Sequence, residues 1–245
     1  MIFKLQLKLF IILICSSSFA GGSAKQVLEN LRKNSVAPYE FAELSMTVFK
    51  KGDELKRELS IRKMDKKNEV RSLVKIHSPK RVEGMGVFSE IKDGGQETQW
   101  LFIPSLKKSR RILKGNKKSS FLDSHLNYED FSADMYKSYS NSILKEDKKR
   151  IIILSKPKSK EATYSKIETT VSKRNYLVLK TRYFRKSKLV KTLTAKKYKK
   201  FGKTWRAGLI TVQMSGSKDR TELKLKKFST KKFEPAKVSK RALEG

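Results

Sequence analysis

Few residues in this chain are placed to make or break bonds. Ser120, Asp123, Ser124 and His125 fall within one short segment and carry the side chains of a hydrolase triad. A nucleophilic serine of that kind sits on a strained strand-to-helix elbow, and the Gly-x-Ser-x-Gly pattern that builds one is missing here. His77 precedes Ser78-Pro79 in a turn and reads as a surface residue. With two histidines and one cysteine, Cys15, the chain offers no multi-cysteine or His-rich metal set. No phosphate loop or Gly-rich dinucleotide motif occurs. The expectation is therefore a non-enzyme without cofactor or metal, whose distinctive residues serve binding. Trp100 and Phe102 share one side of their strand, either as cavity lining or as structural core. Arg110 and Arg111 point to opposite faces. A guanidinium there could hold a carboxylate, phosphate or acyl carbonyl through two parallel N–H bonds, or form a salt bridge to Glu129 or Asp130. Phe121 and Tyr128 complete the candidate binding set, with Tyr128-Glu129-Asp130 able to hold a lid shut or to serve as the charged start of a helix.

The elements that must position these groups are mostly strands. From Phe41 onward the hydrophobic period is two: Val70, Ser72, Val74 and Ile76 alternate with Glu69, Arg71, Leu73 and Lys75, and Leu223 and Leu225 alternate with Glu222, Lys224 and Lys226. Gln99 to Ile103 is denser in apolar groups, as a strand buried on both faces would be. Further strands are expected at Phe41–Lys50, Glu54–Met64, Gly84–Lys92, Lys108–Lys114, Arg150–Lys156, Ser165–Ser172, Tyr176–Phe184, Leu189–Tyr198, Trp205–Met214 and Arg220–Phe228. Lys51-Gly52-Asp53, Asp93-Gly94-Gly95, Lys173-Arg174-Asn175, Phe201-Gly202-Lys203 and Ser215-Gly216-Ser217 supply short turns between them. The expected fold is mainly β with short α: a meander of about ten strands curling into an open antiparallel barrel, since strands twist. Short helical pieces are expected at Lys25–Asn34, within Phe121–Ser140 and in the tail Pro235–Gly245. A sheet of this size encloses either a packed core or an apolar cavity for acyl chains, and periodicity alone does not separate the two.

The N-terminus reads as an address. Lys4 and Lys8 precede the apolar run Leu9 to Cys15, and Ser18-Phe19-Ala20 presents the small residues that signal peptidase reads. The run is too short to span a bilayer as a helix. Residues 1–20 are thus expected to be a signal peptide cleaved near Ala20, and residues 21–245 a single exported domain. Cys15 follows the bulky Ile14, which fits a lipoprotein signal poorly. Export changes the meaning of the charge. The 245 residues carry 58 Lys+Arg against 24 Asp+Glu, a net +34, which in a cytoplasmic protein would suggest nucleic acid. An exported protein meets none, and Lys-rich clusters such as Lys196-Lys197 and Lys226-Lys227 suit diffuse attraction to an anionic membrane surface better than base reading.

One ordered set of residues carries a family resemblance: Gln99-Trp100-Leu101-Phe102-Ile103-Pro104, Arg110-Arg111-Ile112, Ser119-Ser120-Phe121-Leu122 and Tyr128-Glu129-Asp130, then Arg220-Thr221-Glu222-Leu223 and the terminal Leu243-Glu244-Gly245. It resembles the LolA-like outer-membrane lipoprotein-sorting proteins. Phe102 stands where tyrosine is common, and His125-Leu126 where an Asp-aromatic pair is expected. The resemblance implies an incomplete β-barrel with a helical lid and a periplasmic location. It implies an apolar cavity, lined or closed by Trp100, Phe102, Arg110, Arg111, Phe121 and Tyr128, for the acyl chains of lipoproteins or lipids. It also implies work beside an inner-membrane exporter. The competing expectation is a basic exported module that binds anionic lipid headgroups or envelope polymers without transport.

Overall fold

The computed structural model describes residues 23–132, 135–160 and 162–245. The expected signal peptide, its cleavage site and Cys15 lie outside them. Among the described residues thirteen strands form one antiparallel sheet: β1 (Tyr39–Lys50), β2 (Asp53–Asp65), β3 (Glu69–Ser78), β4 (Gly86–Lys92), β5 (Thr98–Ile103), β6 (Lys108–Arg111), β7 (Tyr139–Glu146), β8 (Arg150–Pro157), β9 (Lys166–Ser172), β10 (Val178–Arg185), β11 (Lys188–Phe201), β12 (Thr204–Met214) and β13 (Arg220–Ser229). The spatial order is β6-β5-β4-β3-β2-β1-β13-β12-β11-β10-β9-β8-β7. Two meanders are therefore joined where β1 pairs with β13, and the curved sheet stays open between β6 and β7. Those two free edges are consecutive in sequence. Residues 112–138, the lid, must run from one edge of the open barrel to the other.

Register places one residue parity of each strand on the inner face. Leu44, Met46 and Val48 of β1, Leu59 of β2, Val74 and Ile76 of β3, Val87 of β4 and Val212 of β12 form its main cluster. Ile112, Phe121 and Leu126 of the lid pack into it. The cluster is a two-layer core in which a loop replaces the second sheet.

The helix expected near the N-terminus is α1 (Ala24–Ser35). Ser23 caps it, its hydroxyl accepting from the Gln26 N–H. Val27 and Leu31, four residues apart on one helical face, pack on Ile151, Ile153 and Val171 of the inner face. Within Phe121–Ser140 the expected helical pieces are the 3-10 turns Tyr128–Phe131 and Met135–Ser138 rather than an α-helix, and from Tyr139 the chain is β7. The tail ends in a 3-10 turn and the short α2 (Lys240–Glu244). Val238 and Leu243 of this tail pack against Leu73 and Phe88 on the outer face. Gly86 makes that fit possible, because a Cβ there would collide with the Val74 carbonyl and the Leu243 side chain.

Candidate functional site

The lid is held by a buried polar latch. Asn127 and Asp130 cap the turn that carries Tyr128-Glu129-Asp130, the Asn127 N–H donating to Asp130 Oδ2 at 2.7 Å. Lys191 rises from the inner face of β11 into this turn. Its ammonium, 3 % exposed as a side chain, donates to Asp130 Oδ2 at 2.5 Å, to the His125 carbonyl at 3.0 Å and to Asn127 Oδ1 at 3.1 Å. All three donors of the ammonium are thus used. The Tyr164 hydroxyl is shared between Asn127 Oδ1 at 2.9 Å and Asp130 Oδ1 at 3.3 Å. Glu129 accepts from the Tyr139 hydroxyl and, at 3.0 Å, from the Thr163 N–H. The rings of Tyr164 and Tyr183 lie 5.2 and 5.0 Å from the Lys191 ammonium, within cation–π range. Desolvation lowers the Lys191 pKa, and Asp130 opposes that shift. Burial raises the phenols of Tyr139, Tyr164 and Tyr183, and the two lid carboxylates push in the same direction.

The other side of the lid is held mainly by packing. Phe121 is fully buried, edge-on to Phe131 at 4.7 Å and to Tyr128 at 5.9 Å. Gln99 donates to the Tyr128 carbonyl at 3.1 Å, and Ser89 to the Phe131 carbonyl at 3.1 Å. The lid is therefore polar toward the β7–β11 half of the sheet and apolar toward the β1–β6 half.

Beside the lid the inner face is open. A cavity of about 890 Å³ lies between α1, Lys63 of β2 and the start of β7, lined by the apolar Leu28, Leu31 and Val36 and by the charged Lys25, Glu29 and Arg32. A smaller cleft of about 380 Å³ adjoins it under the β4–β5 turn. Both fall in the usual range for small-molecule sites. Ser132, Met135, Lys137 and Lys158 border both. Ala42, Ile61, Leu223 and Leu225 continue the apolar inner surface in a half-buried state.

The structure divides the expected site residues. Phe121 and Tyr128 meet in the lid. Trp100 and Phe102 do share one side of β5, but that side is the outer one: they pack with Phe88, Val238 and Leu243, and Lys240 Nζ lies 4.2 Å from the Trp100 ring. The cavity-lining alternative is corrected accordingly, since Leu101 is the residue that faces the lid. Arg111 pairs opposite Trp100 and is exposed, and Arg110 pairs opposite Leu101 at the sheet edge. Neither is the partner of Glu129 or Asp130. The imagined triad is not assembled either. The Ser120 and Ser124 hydroxyls donate to the carbonyls of Ser124 and Phe121, and the His125 ring meets Thr221 Oγ1 at 2.9 Å. His77 sits at the exposed end of β3 with Nε2 2.8 Å from Ser60 Oγ.

Lys191, Asn127, Tyr139, Tyr164 and Tyr183 belong to the site without standing in any of its sequence motifs. A signal for Lys191 was present: alternation puts it in phase with Leu193 and Ala195, so a lysine stands in an inward slot. No local pattern marks the tyrosines, which converge from three separate strands and loops.

An open antiparallel half-barrel, its groove plugged by the segment that links its two free edges, defines a protein of the LolA-like fold. Residues 68–245 match the model of a family described as "Uncharacterized protein", and the chain belongs to that family. Among solved structures, the chain is similar to a putative outer membrane lipoprotein-sorting protein domain from Vibrio parahaemolyticus, with 24% identity, a TM-score of 0.84, and 91% of this chain and 98% of that one covered. A DUF1329 family protein from Desulfovibrio piger has 22% identity and a TM-score of 0.80, over 90% of this chain and 98% of that one. A LolA superfamily protein from Nitrosomonas europaea has 17% identity and a TM-score of 0.72, over 91% of this chain and 100% of that one. No curated protein matches the chain.

Proposed function

We propose that this protein is a periplasmic carrier. It shields the acyl chains of lipoproteins or lipids in its half-barrel groove during transfer to the outer membrane, after export directed by residues 1–20. The observation that carries the reading is the groove itself: an apolar inner face, a cavity of about 890 Å³, and beside it a lid that fills the rest with Phe121 and Leu126. Each methylene removed from water contributes about 0.8 kcal/mol, so an acylated molecule needs such a cover to cross an aqueous space. Release requires an empty state of comparable stability, and a lid that supplies its own apolar side chains provides one.

The basic surface fits the same task. Between Glu97 and Asp123 the sequence has seven Lys or Arg and no acid. This stretch exposes Leu106 (46%) and Leu113 (63%). Cations and exposed leucines together suit an anionic bilayer, from which or to which the cargo moves beside an inner-membrane exporter. A second reading, a binding module for anionic lipid headgroups or envelope polymers without transport, draws on the packed state of the lid, where Phe121 is fully buried.

Mass spectrometry of the organic extract of purified protein, with titration of a fluorescent acyl probe, separates the two readings. Co-purifying acylated molecules and saturable probe binding are expected for a carrier. No extracted lipid together with no probe binding would sink that reading and favour the second.

A further inference from the structure

A buried arginine stands outside the latch. Arg57 lies on the inner face of β2, opposite Met46 of β1 and in phase with Leu59 and Ile61. It is 4% exposed, yet its Nε and Nη1 have no hydrogen-bond partner among the described residues. An ionised group in such surroundings is costly unless an opposite charge meets it. The nearby charges are Asp123 at the lid tip, which favours the charged form, and Arg81, which opposes it. Asp123 is exposed and makes no ion pair with Arg57. Arg57 is thus a buried guanidinium with no carboxylate in contact.

We propose that Arg57 receives the anionic head group, phosphate or carboxylate, of the acylated ligand. The proposal rests on the carrier reading and specifies its ligand class. Arg57 and Lys63 are six positions apart on the same face of β2, about 20 Å along the strand. Lys63 borders the large cavity. A ligand whose head group sits at Arg57 thus runs its chain over Leu59 and Ile61 toward that cavity, in the space that Phe121 and Leu126 fill when the lid is down. Lifting the lid tip carries Asp123 away, and the incoming anion supplies the charge-assisted hydrogen bonds that Arg57 lacks.

The test compares oleoyl lysophosphatidic acid with monooleoylglycerol, which has the same chain and no charge, by displacement of a fluorescent acyl probe. Wild-type protein is expected to bind the phosphate-bearing amphiphile at least tenfold more tightly. Arg57→Met is expected to abolish that preference while binding monooleoylglycerol at least as well. Asp123→Asn, a change at an exposed position that the fold tolerates, is expected to strengthen the preference severalfold, which keeps the test alive should Arg57→Met misfold. Lys227→Met removes the same charge from an exposed position and is expected to leave the preference intact. A preference that survives Arg57→Met, or that Lys227→Met lowers equally, overturns the proposal. Inorganic phosphate binding as tightly as the acylated probe overturns it in favour of a free-anion site. Tight binding of both amphiphiles without preference overturns it and leaves the carrier reading standing, whereas binding of neither overturns both.

Discussion

Replacing Lys191 by methionine tests the latch directly. The substitution keeps the length and apolar stem of the side chain and removes the ammonium that joins β11 to the lid through Asp130, Asn127 and the His125 carbonyl. Removing one partner of a buried ion pair costs about 3–5 kcal/mol, because the other charge stays behind in a poor solvent. Asp130 keeps the Asn127 N–H and the Tyr164 hydroxyl as donors, so the lower end, about 3 kcal/mol, applies here. For a chain of this size about 1 kcal/mol moves Tm by about 2–4 °C, which gives a loss of about 6–12 °C. Hydrogen exchange followed by mass spectrometry adds the location: amides of 121–131 lose protection first, while those of β1, β2 and β13 change little. The double variant K191M/D130L removes both charges and recovers part of the loss, so the two single costs exceed the cost of the pair. A fall in Tm below about 2 °C for K191M, with protection of 121–131 unchanged, would refute the assignment of Lys191 and Asp130 as the lid's anchor.

Other outcomes follow from the same geometry. The phenols of Tyr139, Tyr164 and Tyr183 are raised by burial and that of Tyr198 is pushed up to about 12. Their folded values lie above the ordinary value near 10, so their contribution is complete below pH 10 and is lost as pH rises through the folded values. Lys191, with its pKa lowered, acts in the opposite sense as a single group. Thermal melts should therefore fall steadily above pH 10, and Tyr139→Phe should flatten that fall. Because Trp100 packs under the C-terminal tail, Trp100→Ala should cost about 3 kcal/mol of stability in denaturant titration and leave acyl-probe affinity unchanged. Changing both Leu106 and Leu113 to serine should reduce cosedimentation with anionic vesicles several-fold without altering probe binding in solution, and raised salt should weaken what remains.

Much of the sheet could be read from alternation, and the exceptions are instructive. β7 carries no alternation signal because its inward positions begin with Tyr139 and Asn141. Asn141 is satisfied by the Ser155 hydroxyl rather than by apolar neighbours, so the hydrophobic period is broken where the strand starts. The lid's polar and aromatic composition suggests helix, yet its turns are fixed by groups distant in sequence: the Lys191 and Tyr164 side chains and the Thr163 backbone N–H hold Asn127, Glu129 and Asp130. The Tyr128-Glu129-Asp130 motif is visible in the sequence, but the partners of its acids are Lys191, Tyr139 and Thr163 on the far half of the sheet rather than Arg110 and Arg111, which are close in sequence.

The sequence by itself determined every strand but β7, their antiparallel succession and the two-faced character of β5. Those properties depend on residue parity and on short turns, which are local. Tertiary structure alone decided which parity faces the groove. Trp100 and Leu101 are both apolar, and β5 turns Leu101 inward only because the C-terminal tail covers Trp100 from outside while the lid meets Leu101 from within. It also decided the latch, since a lysine becomes a buried anchor only when an acid from sixty-one residues away is folded against it.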